Sequence, residues 1–143
     1  AEIVKKYNVP VIAMHNHDGH EYKKDIIKEI SDFFVKTLKI AEKNGISRDK
    51  VILDPGIGFG KTYEHNVEIL QRLEELTKFG PMLLGTSRKS TLGKILDLPP
   101  KERIEGTLAT TVIGIQKGVE IVRVHDVLEN KRCAMVADII LRK

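Results

Sequence analysis

The sequence predicts an α/β chain with a parallel sheet and helices packed outside it. Two observations carry this. Four runs rich in Val, Ile, Leu and Met recur: VPVIAMH (9–15), KVILDPG (50–56), GPMLLGTS (80–87) and VEIVRVHDV (119–127). Their starts lie about 30–40 residues apart, the length of one βα unit. They show little polar alternation, as expected of strands buried on both faces. Segments with helical periodicity fill the intervals, so the order is end-of-helix, then β-α four times over. Two architectures fit: a small open doubly wound sheet, or half of a (β/α)8 barrel, which takes about 250 residues when whole.

Each element has its own signal. The opening AEIVKKYN reads as the end of a helix, and the chain is expected to be a piece of a longer protein. After the first strand, DIIKEISDFFVKTLKIAEKNG puts Ile26, Ile27, Ile30, Phe33, Phe34, Leu38 and Ala41 on one stripe and stops at Asn44-Gly45. EHNVEILQRLEELTKFG repeats the pattern with Val67, Leu70 and Leu73, ending at Gly80. RKSTLGKILDLPP holds a short helix cut by Pro99 and Pro100. KERIEGTLATTVIGIQKG, with a small-residue face, runs to Gly118, and ENKRCAMVADIILRK closes the chain.

Composition narrows the class. The 143 residues suffice for one domain and not two. With 41% apolar and 31% charged residues, neither disorder nor a fibrous repeat is expected. The longest apolar runs fall far short of the roughly 20 residues that span a bilayer. No apolar leader opens the sequence, and Cys133 alone supports neither an internal disulfide nor a cysteine zinc finger. A cytoplasmic home is expected. The net charge of +4 comes without a dense basic tract, and aromatics are only 5%. That favours small anions over nucleic acid as partners.

Polar residues cluster where the strands end, which is where α/β proteins build their sites. The ends read HNHDGH (15–20), DPGIGFGK (54–61), GTSRKS (85–90) and RVHD (123–126). Turn capping competes as an explanation for each, but not for four together. GIGFGKT is not a phosphate loop: only three residues separate Gly56 from Gly60, and the dinucleotide fingerprint also fails. What remains is a glycine loop behind an Asp, with Phe59 at its centre as a packing plug or a stacking lid. His15, His17 and His20 invite a zinc reading, but a loop without helical spacing speaks against it. His15 is instead expected to pack at the rim. SRKS before a helix suits an anion, with capping by Ser and surface cations as the rival. Arg123 and His125 share a side of the last strand and need anionic partners there, a phosphate or a buried carboxylate such as Asp54. Asp54 can accept two parallel hydrogen bonds from an amidine-like edge such as a 2-aminopyrimidinone, or cap a turn before Pro55.

Taken in order, Met14-His15, DPGIGFGK, GTSRKS and RVHDV resemble the C-terminal half of the dihydropteroate synthase family, over nearly the whole chain. The resemblance implies the C-terminal half of a (β/α)8 TIM barrel, so residues 1–143 would be a partial pterin-binding domain. It implies a transferase of folate biosynthesis that joins 4-aminobenzoate to 6-hydroxymethyl-7,8-dihydropterin diphosphate and releases diphosphate. By matched position, Asp54, Lys89, Met14, Gly85 and Phe59 would form the pterin pocket. Ser90 and Arg88 would serve the aminobenzoate, where sulfonamides compete. Arg123 and His125 would take the diphosphate, making Lys89, Arg123 and His125 the catalytic set. Lys61 receives no role. The family also implies Mg2+, with its protein ligand outside this segment, and dimers built on late helices. The first strand end departs from the family, which commonly has a second Met after the His. An isolated half-barrel would expose strand edges, so homo-oligomerisation and loss of activity are expected of the chain alone. The rival functions are a pterin-binding methyltransferase module and a non-catalytic anion-binding half-barrel.

Overall fold

The structure is a computed structural model that describes residues 1–19, 21–22 and 24–141. Helix α1 (Glu2–Tyr7) leads into strand β1 (Val11–Met14), and helix α2 (Ile26–Lys43) returns the chain to β2 (Val51–Asp54). Then come α3 (Tyr63–Gln71), α4 (Glu74–Thr77), β3 (Leu83–Leu84), α5 (Ser90–Leu96), α6 (Ile104–Gln116), β4 (Ile121–Val122) and α7 (Val127–Leu141). β1 pairs in parallel with β2, Val11 opposite Val51 and Met14 opposite Asp54. β3 pairs in parallel with β4, Leu83 opposite Ile121. A parallel bridge from Leu53 to Met82 joins the two pairs, so the strands stand in sequence order. Parallel strands alternating with helices make a partial (β/α) barrel, as the sequence predicts.

The core follows from the apolar stripes. In α2, Ile26, Ile27, Ile30, Phe34 and Ala41 are buried; the Asp25 carboxylate caps its start by accepting from the Lys28 N–H. Gly45, at φ +67°, turns the chain out of it. Leu53, Ile69, Leu73, Leu76 and Met82 fill the space between this helix and the sheet. Among the described residues no helix is long and apolar enough to cross a membrane.

Two expectations are corrected. The single helix read over EHNVEILQRLEELTKFG is two, because Arg72 takes φ −113° and ψ 22° between them. There its guanidinium binds Asp25, Glu68 and Glu75. The last two strands are only two residues each, not seven or more. Beyond Leu84 the backbone leaves the ladder: Thr86 bonds to the Thr110 hydroxyl and Ser87 to His125.

Candidate active site

The site starts at Asp54, the last residue of β2. Its backbone carbonyl accepts the His15 N–H at 2.9 Å, which carries the β1–β2 ladder one residue past Met14. Its Oδ1 accepts the Gly56 N–H at 2.7 Å, so the carboxylate folds back over the loop that follows. Only 6% of the residue is exposed. Burial pushes its pKa up, and the Gly56 N–H, Lys89, Arg123 and Lys61 pull it back down. Three cations therefore face one acid, a local excess that suits a polyanionic ligand.

The glycine loop gains its shape from contacts that admit no side chain. Gly56 (φ +70°) and Gly60 (φ +59°) press against the carbonyl oxygens of His15 and His17, which a Cβ at either position would overlap. Lys61 is buried beneath, its Nζ donating to the Phe59 carbonyl at 3.0 Å and the His15 carbonyl at 3.3 Å. Burial lowers its pKa to about 8, with Asp54 opposing and Lys89 assisting. The buried Asn66 accepts from the Gly58 N–H at 2.7 Å, and Tyr22 donates its hydroxyl to the Gly60 carbonyl at 2.6 Å. Phe59 sits at the loop's crest. The Lys89 ammonium lies 3.9 Å from its ring centroid and donates to the Ile57 carbonyl at 2.6 Å. Burial and Arg123 lower the Lys89 pKa, and Asp54 opposes them.

The third and fourth strand ends interlock. Gly85 leaves room for the Arg123 guanidinium, whose Nη2 a Cβ there would meet at 3.2 Å. The Ser87 hydroxyl pairs with His125 Nδ1 at 2.9 Å and accepts the His125 N–H at 3.1 Å. Arg88 adopts φ +59° and binds the Asp126 carboxylate at 2.7 Å. Ser90 is the exposed first residue of α5, and Lys89 before it makes no side-chain cap, so the capping explanation of SRKS does not hold for this helix. Arg123 and His125 alternate in exposure with the half-buried Val122 and Val124, as expected, but not within a buried strand. β4 stops at Val122, and both lie beyond it on the exposed rim.

Thus Asp54, Lys89 and Arg123 meet around one space with Phe59 and Gly85 beside them, while His125 is tied to the third strand end through Ser87. Met14 stands half-buried opposite Asp54. Arg88 faces Asp126 instead of open solvent. Lys61, left without a role by the sequence, completes the loop with Asn66 and Tyr22, which no motif marks. Their partners are backbone atoms, the His15 and Gly60 carbonyls among them, and a backbone atom carries no side-chain signal in the sequence. His15 is buried against Phe33 and Tyr22, as expected, with Nδ1 unpartnered. Burial, then Lys61 and His17, lowers its pKa to about 4. His20 lies outside the described residues, so the three-histidine zinc reading has no structural account.

Comparison with known proteins agrees with this architecture. The family of pterin binding enzymes matches residues 1–125. A dihydropteroate synthase from Clostridium beijerinckii is 53% identical over all of the chain and 54% of its own length. One from Bacillus subtilis is 45% identical over all of the chain and 50% of its own length. A crystal structure of the Clostridium difficile dihydropteroate synthase in the presence of pteroic acid superimposes with a TM-score of 0.95 at 53% identity, over 99% of the chain and 54% of that one. The Yersinia pestis enzyme with a pterine–sulfa conjugate gives 0.91 at 38%, over 97% of the chain and 54% of that one. The chain spans about half the length of the curated relatives it matches.

Proposed function

We propose a function from one premise: this chain belongs to the pterin-binding enzyme family. The protein carrying it is a dihydropteroate synthase, and residues 1–143 are the C-terminal half of its barrel. The observation that carries this is the Asp54 carboxylate, buried at the end of β2 and faced by Lys61, Lys89 and Arg123. A flat heterocycle with amino and ring N–H groups pairs with the acid, and its diphosphate tail lies among the cations. Solved relatives described with pteroic acid, with a pterine–sulfa conjugate and with a sulfonamide drug support the same reading.

Asp54 accepts the amino and ring N–H hydrogens of the pterin, and Lys89 crosses its face with Met14 and Gly85 as walls. Phe59 lies between the pterin and the aminobenzoate. Ser90 holds the aminobenzoate carboxylate, with Arg88 at its border. The aminobenzoate nitrogen attacks the pterin methylene carbon. A C–N bond forms, the C–O bond breaks, its electron pair leaves on the diphosphate, and the amine gives up a proton. Arg123 and His125 bind the departing diphosphate, and their stabilisation grows as its charge develops. Ser87 fixes the orientation of the His125 ring through Nδ1. No covalent enzyme intermediate is needed.

Mg2+ is a separate matter. The described residues hold no group of three or more His, Cys, Asp or Glu that could bind a metal ion. The described residues do not form a magnesium cage, and the roles assigned above in the substitution at the methylene carbon belong to this chain's own side chains. A homo-oligomer, with isolated residues 1–143 inactive, completes the proposal.

Calorimetry on the protein carrying this chain tests it. The pterin diphosphate should bind first, and 4-aminobenzoate only with diphosphate or pterin diphosphate present. Absence of pterin diphosphate binding overturns the assignment.

A further inference from the structure

Arg103 belongs to none of the groups above, yet it reaches the same place. It is the residue before α6, and its backbone carbonyl starts that helix by accepting from Thr107. Its side chain runs back to α5. Nε donates to the Leu98 carbonyl at 2.7 Å, just past the end of α5. Nη1 donates to the carbonyls of Arg88 at 3.0 Å and Lys89 at 3.2 Å, just before its start. One planar cation therefore ties both ends of a seven-residue helix.

Two other features of the sequence take their meaning from this contact. A Cβ on Gly93 would overlap the Arg103 guanidinium, so this glycine is the cradle in which it lies. Arg88 holds a left-handed φ of +59°, a conformation that costs a non-glycine residue free energy and needs outside support. That support comes from two sides, Asp126 on the side chain and Arg103 on the carbonyl. α6 grips the segment again through the Thr110 hydroxyl, 2.7 Å from that of Thr86.

We propose that Arg103 is a positioning residue for the aminobenzoate. By holding the carbonyls of Arg88 and Lys89, it sets the backbone from which the Ser90 side chain projects; the Lys89 ammonium has its own anchor at the Ile57 carbonyl and the Phe59 ring. This rests on the function proposed above, and within it separates two substrates. The pterin's acid, Asp54, is anchored by Gly56 and owes nothing to Arg103.

The test is steady-state kinetics on the full protein carrying this chain, with Arg103→Ala, Arg103→Lys and Gly93→Ala. Arg103→Ala should raise KM for 4-aminobenzoate about tenfold while KM for the pterin diphosphate stays within about twofold. Guanidinium ion in the buffer should recover much of the Arg103→Ala loss. Arg103→Lys should recover little, since an ammonium lacks the planar fork. Gly93→Ala should reproduce the loss with Arg103 still present. That substitution improves helix propensity, so simple destabilisation does not explain such an effect, and it stands in if Arg103→Ala does not fold. An unchanged aminobenzoate KM in Gly93→Ala, or equal rises for both substrates without guanidinium recovery, overturns the proposal. A wild type that makes no dihydropteroate sinks the function and this substrate role together; normal wild-type activity with silent variants sinks Arg103 alone.

Discussion

Asp54 shows how a side chain acquires a role that its neighbours do not share. Burial raises the Asp54 pKa, and the Gly56 N–H, the two nearby lysines and Arg123 oppose that. Asp54→Asn keeps an oxygen for the Gly56 N–H, so the fold should survive. It loses the charge that pairs with a donor edge, and hydrogen bonds to charged groups are worth roughly 1.5–3 kcal/mol. Calorimetry should show pterin affinity lower by about one to two orders of magnitude, and unchanged affinity would remove Asp54 from the pocket. His15 offers a pH test. Its folded pKa of about 4 lies below the ordinary 6.5, so between those values the unfolded chain binds more protons. Its contribution thus rises with pH over that window and is lost on acidification. Urea unfolding across the window should show a shallower decline for His15→Gln than for the wild type; parallel declines would show that the imidazole does not titrate this way. The site's ionic residues were legible because they follow apolar strands. Asn66 and Arg103 were not, because what they hold is backbone, and a backbone carbonyl leaves no trace in a sequence.

At the level of elements, the glycine loop is a rigid part of the site. Its oxygen-lined neighbours exclude a Cβ at Gly56 and Gly60, and both residues need positive φ. Gly56→Ala or Gly60→Ala combines backbone strain with a steric clash against main chain, and should cost about 3 kcal/mol or more. Gly19 also has positive φ, +89°, but a Cβ there meets nothing within 4 Å. Gly19→Ala should cost only about 1–2 kcal/mol. Urea denaturation of the three variants checks the contrast, and equal losses would mean that the loop tolerates displacement. The helices were legible from their stripes, α2 down to its Asn44-Gly45 stop. The break at Arg72 was not, because the apolar positions of α3 and α4 keep one period while Arg72 takes partners on three sides. The short β3 and β4 were overextended for a related reason. Residues 85–87 and 123–126 look like strand, but after the Arg123 N–H bonds to the Leu84 carbonyl the contacts pass to side chains, Thr86 to Thr110 of α6 and Ser87 to His125.

Across the whole molecule, apolar surface is left where the partial barrel ends. α7 buries only Asn130 and Ala137, while Met135, Val136, Ile139 and Ile140 are each more than half exposed, Ile139 by 82%. Among the described residues β1 and β4 each pair on one side only, and Ile12 on β1 is 54% exposed. Fully burying one such side chain is worth roughly 1.5–3 kcal/mol. Four such side chains from each of two copies sum to roughly 12–24 kcal/mol, against the roughly 4–15 kcal/mol that association costs in lost freedom. The purified chain should self-associate at micromolar concentration, and analytical ultracentrifugation reads this directly. Val136→Lys with Ile139→Lys should shift it toward monomer, because each copy would bring two like charges into the shared face. Helical circular dichroism should change little, since both positions face solvent. If the double variant associates as the wild type does, the strand edges and not α7 hold the copies together. A wild type that sediments as a monomer would mean that this apolar surface is tolerated in water without a second copy to cover it.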